Sequence, residues 1–237
     1  MKKISLVLLS IVFSISFANA QTITKPYDFP VKPGTTAWAK LKSTKEIYDA
    51  TQIPIEILKN MTTEALVKTC LSYPNLLLMY AYNDFQKGFD ELKNNFNGFQ
   101  ELMLRKDAGT ELIKIYQQMN PMDLNKNWAS EQQGGFVIRF NYIEVIISQY
   151  QILNSLNENE KKLLAKECLK KFDTKKINMD VFAIPGLETT GLIMGRILET
   201  KNLLQKSGDK VNFLETGRSN GEEQLIEIYN KAKAYVN

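Results

Sequence analysis

Residues 136–153 read FVIRFNYIEVIISQYQIL, and the spacing of their apolar positions decides the fold. Phe136, Phe140, Ile143, Ile147 and Tyr150 recur at helical steps, and Val137, Ile138, Val145 and Ile146 widen the stripe. A helix apolar on most sides is predicted to lie centrally in its domain. Arg139 and Glu144 interrupt it. At helical spacing they point about 140° apart, so they are not expected to pair with each other. Charges are rarely buried without a partner. Each is therefore a buried anchor, the lining of a cleft, or part of a polar edge on a partly exposed helix, and both are candidate binding residues.

Downstream, Asn157 with Glu160 has the spacing of a capping box, opening a helix predicted to end near Phe172. Pro185-Gly186 opens another, expected to run to about Gln205. Gly191 and Gly195 share one face of it, which predicts close packing on a neighbouring helix. Glu188, Arg196 and Glu199 argue against its spanning a membrane. Lys210 to Leu214 is the best alternating segment in the chain, and a weak one. Leu225, Tyr229, Ala232 and Val236 mark a terminal amphipathic helix.

Upstream, residues 120–135 form the longest irregular stretch in the middle of the chain. They hold Trp128 and Gly134-Gly135, and read as a surface loop or hinge. Before them come short helices with clear punctuation. Phe85, Phe89, Leu92, Phe96 and Phe99 form a helical stripe that Asn97-Gly98 interrupts. Thr62 or Thr63, Asn83 or Asp84, and Asp107 stand where caps belong. Pro26, Pro30 and Pro33 make residues 21–36 an extended arm. The predicted fold is all-α: an irregular multi-helix bundle or stacked helix pairs with that arm. Residues 37–237 are expected to form a single helical domain, with a sub-boundary, if there is one, within 120–135. No fixed-period repeat supports a solenoid.

The N-terminus has the three parts of a signal peptide. Lys2 and Lys3 precede the apolar stretch 4–17, and Ala18-Asn19-Ala20 supplies small residues at the cleavage site. Residues 1–20 are thus expected to be removed, leaving an exported, soluble chain, periplasmic or secreted. Without Lys2 and Lys3, the 30 basic residues fall to 28 against 26 acidic ones. A near-neutral chain lacks the basic footprint of nucleic-acid binding. No later apolar run approaches the roughly 20 residues of a membrane span.

The chain contains no histidine. That excludes Ser-His-Asp and Cys-His catalysis and His-ligated metal centres. Metal sites and cofactor fingerprints are not expected. Export permits a disulfide between Cys70 and Cys168; the alternative is two separate buried thiols.

Pro33-Gly34-Thr35, Trp38, Gln52-Ile53-Pro54, 61–67, Cys70-Leu71, Tyr73-Pro74, Asn83-Asp84, Phe96-Asn97-Gly98 and 105–109 together resemble a group of exported bacterial helical proteins. The resemblance covers roughly residues 30–119. It implies a bacterial exported chain and brings no activity, ligand or catalytic residue with it.

The functional reading is a non-enzymatic helical protein that binds an envelope or extracellular partner, a protein or a glycan. Trp128 joins Arg139 and Glu144 as a candidate binding residue, because an indole in a polar loop suits an interface; the alternative is an indole that folds back and plugs a gap between helices. The alternative is a carboxylate-dependent, glycan-cleaving enzyme of the envelope, with Glu131 as its acid and base. The helical lytic transglycosylases pair their Glu with Ser and carry a later Gly-Leu-Met-Gln segment. Here Gln132 follows Glu131, and Gly191-Leu192-Ile193-Met194 lacks the Gln.

Overall fold

The computed structural model describes residues 22–204 and 208–237. The expected signal segment 1–20 and Gln21 lie outside these. The described chain is all α-helical, without a strand; an isolated bridge joins Ile23 to Met61.

The first half is a run of short helices: α1 (Thr36–Ala39), α2 (Thr44–Ala50), α3 (Ile55–Asn60), α4 (Thr63–Leu71), the 3-10 helix Leu76–Ala81, α5 (Phe85–Asn95), α6 (Asn97–Leu102) and α7 (Ala108–Gln118). Side-chain caps set several starts. Thr35 Oγ1 accepts from the Trp38 amide, Thr62 Oγ1 from Ala65 at 3.2 Å, and Asp84 Oδ1 from Lys87 at 2.6 Å. Asp107 precedes α7 as expected but makes no cap bond; its carboxylate instead accepts from the Thr63 hydroxyl, at 2.8 Å. That bond ties α7 to the start of α4. The arm runs beside α4, with Ile23 bonded to Asn60 and Thr62, and Tyr27 N–H to Thr69 Oγ1.

A 3-10 turn, Pro121–Asp123, leads to the second half: α8 (Ser130–Ile147), α9 (Tyr150–Ser155), α10 (Glu158–Ile177), α11 (Met179–Thr200), α12 (Asp209–Thr216) and α13 (Glu222–Val236). The apolar stretch 136–153 is two helices, broken at Ser148-Gln149. The expected loop 120–135 is shorter than it reads, because α8 begins at Ser130 and carries Gly134-Gly135 inside it. The Asn157–Glu160 box closes with bonds of 3.1 and 2.9 Å, and its helix runs past Phe172 to Ile177. The 210–214 alternation lies in α12.

Inside α11, Ala183 holds a left-handed backbone (φ 51°) two residues before Pro185, so the regular part starts where the Pro-Gly pair predicts. This helix is long and apolar enough to cross a membrane, yet 78% of its most apolar window is buried against α8, α10 and α13. Gly191 and Gly195 make that packing fit. A Cβ there would stand 3.0 Å from Leu225 and Leu214 respectively. One contiguous hydrophobic cluster runs from Phe29 of the arm through α4, α5 and α8 to Ala232 of α13.

Cys70 and Cys168 are not joined; each is a free, fully buried thiol. Cys70 faces the α4 core, whereas Cys168 on α10 lies beside Tyr116 and Glu144. Desolvation raises both thiol pKa values, and the Glu144 charge adds to the rise at Cys168. Neither should react with an aqueous alkylating reagent in the folded protein, and both should react in denaturant. A non-reducible loss of both thiols in denaturant is not expected, and a disulfide found in the purified chain would contradict this arrangement.

Candidate functional site

The N-terminal half of α8 is the part of the scaffold that gathers the sequence candidates. The segment leading into it is fastened locally. Asn125 Oδ1 accepts from the Asn127 amide at 2.9 Å, and Gln133 Nε2 reaches back to the carbonyls of Trp128 (2.8 Å) and Lys126 (3.1 Å). Lys126 pairs with Asp180 at 3.0 Å, linking the segment to α11. Trp128 is half-buried and meets Phe136 edge to face, with centroids 5.7 Å apart. Phe136 in turn contacts Phe140 and Phe182. Trp128 is thus the outer member of an aromatic cluster that leads into the core.

Three concavities adjoin this half-helix. The largest, about 600 Å³, lies between α8 and residues 71–77; Leu71, Pro74, Leu77, Ile138 and Tyr142 give it an apolar lining, with Glu131 and Arg139 on the α8 side. A second, about 500 Å³, is lined by Trp128, Gln132, Gly135, Phe136 and Arg139. A third, about 210 Å³, has Asn120, Asp123, Phe136, Arg139 and Phe140 around it. Arg139 lines all three. It is exposed, and among the described residues it has no hydrogen-bond or ion-pair partner. Glu131 is likewise exposed and unpaired. Arg139 thus shares one concavity with Glu131 and another with Trp128.

Tyr142 also lines the largest of the three. It is 6% exposed, and its hydroxyl has no hydrogen-bond partner. Desolvation raises its phenol pKa, and Tyr80, whose ring centroid is 5.9 Å away, adds to the rise. Leu77 stands 65% exposed on the opposite wall.

Glu144 is elsewhere, fully buried between α7, α8, α10 and α11. Its Oε1 accepts from Tyr116 Oη at 2.6 Å, Lys175 Nζ at 2.7 Å and Thr190 Oγ1 at 2.9 Å; its Oε2 accepts from Lys175 at 2.6 Å and Thr189 Oγ1 at 2.5 Å. Lys175 also donates to the Gly186 carbonyl at 3.0 Å and lies over the rings of Phe140 and Phe182. Desolvation lowers the pKa of the Lys175 ammonium, and the Glu144 charge opposes that. A carboxylate with both oxygens taken up inside the core is an anchor, so Glu144 leaves the binding candidates.

Sequence reasoning missed Lys175 and Arg196. A signal existed for Lys175, which continues the apolar stripe of Cys168 and Phe172 at helical spacing. Among the described residues no three His, Cys, Asp or Glu side chains gather as a metal site would require. No protein-family model, curated protein or solved structure matches this chain.

Proposed function

We propose that this chain is an exported, non-enzymatic binding protein that holds a protein or glycan partner, of the envelope or the extracellular space, against the face formed by the N-terminal half of α8. The observation that carries this reading is the place of Arg139. An unpaired guanidinium stands where three concavities meet, the largest of them apolar-walled, with an indole lining the second. Arg and Trp are the side chains most often found at the energetic centre of interfaces. The largest concavity falls in the size range of ligand sites.

Glu131 keeps a glycan-cleaving alternative in view, because it lines the same groove. Binding is preferred because Glu131 is exposed. A general acid needs shielding to hold its proton near neutral pH.

The test compares stability with capture. Arg139→Glu alters an exposed side chain and should change stability by no more than about 0.5 kcal/mol. Trp128→Ala removes a half-buried ring and should cost about 1 kcal/mol, short of the ~3 kcal/mol expected for a buried plug. Both should weaken capture of the envelope partner at least tenfold, the loss of a single hot-spot contact. Unchanged capture by both variants would remove the reading.

A further inference from the structure

We infer that the groove between α8 and residues 71–77 receives one amphipathic helix of a partner protein, antiparallel to α8, with its acidic first turn beside Arg139 and its basic last turn beside Glu131. The inference rests on the binding reading above and names the partner's chemistry.

The first support is the glycine pair. Gly88, Gly98, Gly109, Gly186, Gly191 and Gly195 all lie in helices, and at each of them a Cβ would meet a neighbouring atom at 3.0 Å or closer. Internal packing explains those six. At Gly134 and Gly135 a Cβ would meet nothing within 4 Å. Glycine is among the poorest helix formers, so two in succession inside α8 weaken it with no packing return from this chain. What they provide is bare backbone beside the groove. The distance between packed helix axes is set by the side chains at the contact, and glycine allows the closest approach.

The lining selects a helix over an extended peptide. Its walls are α8, the end of α4, the turn 72–75 and the 3-10 helix; the Ser72, Tyr73 and Leu76 amides are already bonded to nearby carbonyls, and among the described residues there is no sheet edge to extend. A strand laid there would leave its own N–H and C=O groups without partners, whereas a helix satisfies them internally. The apolar wall residues Leu71, Leu77 and Ile138 suit the apolar stripe of such a helix.

The charges set its direction. Glu131 and Arg139 are both unpaired and stand eight positions apart, about 12 Å along the α8 axis. That matches two turns of a second helix. Acidic residues favour a helix N-terminus and basic residues a C-terminus, so an antiparallel helix places each opposite its counter-charge. The Tyr142 hydroxyl is the second, independent sign of an occupant. It is buried and unpaired on a residue that lines the groove, and such groups rarely stay unsatisfied.

The test uses two stapled peptides of about 14 residues, roughly 21 Å of helix, with the same leucine stripe. One has Glu in its first turn and Lys in its last; the other has these reversed. Binding is read by fluorescence anisotropy against the full chain. The forward peptide should bind about fivefold more tightly, as two exposed ion pairs would give. The double variant Glu131→Arg/Arg139→Glu should invert that preference. Gly135→Leu, which projects into open space and leaves the fold intact by circular dichroism, should abolish binding of both. Equal binding of the two peptides, blocked by Gly135→Leu, overturns the inferred helix orientation and leaves the binding reading standing. Binding of neither peptide, or binding indifferent to Gly135→Leu, overturns the inference, and the Arg139→Glu capture assay then judges the binding reading separately. Self-association lost in Gly135→Leu, with no peptide bound, would mean that a second copy of the chain covers the groove and would overturn it too.

Discussion

Glu144→Leu should lower the unfolding free energy by about 3–5 kcal/mol, because it removes one partner of a buried ion pair and strands the other. Lys175 is fully buried, with its ammonium held by the Glu144 carboxylate, the Gly186 carbonyl and Thr190 Oγ1. Without Glu144 it keeps two neutral acceptors and two aromatic rings, too little to hold an ion out of water. Tyr116 loses its carboxylate acceptor as well, and Thr189 is left with longer contacts to Asn141 Oδ1 and the Gly186 carbonyl, at 3.2 and 3.4 Å. Since whole domains are stable by only about 5–15 kcal/mol, most of the protein's stability is at stake. The double variant Glu144→Leu/Lys175→Met should recover a substantial part, since it removes both charges together. Urea denaturation of the two singles and the double measures the coupling. A single-variant cost below about 1 kcal/mol would mean that the pair is hydrated and is not the anchor its geometry describes.

Arg196→Met should cost about 3 kcal/mol or more, for a different reason. The Arg196 guanidinium joins three elements. Its Nε and Nη2 donate to the Leu214 carbonyl of α12 at 3.0 and 2.7 Å, its Nη1 to the Ser148 carbonyl at 3.1 Å, and its Nη2 to Gln86 Oε1 of α5 at 2.8 Å. It also stacks on Tyr150, 4.9 Å from the ring centroid. Methionine fills the space but leaves the Leu214 and Ser148 carbonyls without this donor, each a loss of about 1–3 kcal/mol. Arg196→Lys should rescue little, because a point ammonium cannot reproduce a planar fork aimed at two carbonyls. Thermal unfolding of both variants checks this. A lysine variant as stable as the parent would show that charge alone, and not the fork, is what the site requires.

These two anchors mark the limit of what could be read from the sequence. Caps and stripes are local: Thr62, Asp84 and Asn157 cap where their spacing places them, and the 136–153 periodicity is helical but divides into α8 and α9 at Ser148-Gln149. The all-α class follows from such features. Lys175 and Arg196 depend on partners 31 and 48 positions away, and no local pattern reports those. Helix α2 was not anticipated, although Ser43 caps it through the Glu46 amide. Its one buried residue is Tyr48, so it presents no stripe to recognise.

Gly134-Gly135 was misread for a physical reason. Two glycines in a polar stretch ordinarily break a helix, but here they are held from both sides. Upstream, Gln132 and Gln133 fasten the first turn to the backbone of residues 126–129. Downstream, α8 is buried from Phe140 to Ile147. Moving the pair from a loop into the helix changes its meaning, since a loop glycine needs no explanation and an unpacked helical one does. Trp128, Glu131 and Arg139 were each singled out separately in the sequence. The concavities that Arg139 shares with Glu131 and with Trp128 depend on α8 starting at Ser130.

The central claim is that this face docks a partner, and site-specific photocrosslinking tests it most directly. A photoreactive residue replaces Leu77, 65% exposed on the groove wall, or Leu104, 78% exposed outside it, in the cell that produces the protein. The account predicts one discrete adduct from position 77, absent from position 104 and lost when Gly135→Leu is added. No adduct from position 77, or the same adducts from both positions, would contradict it.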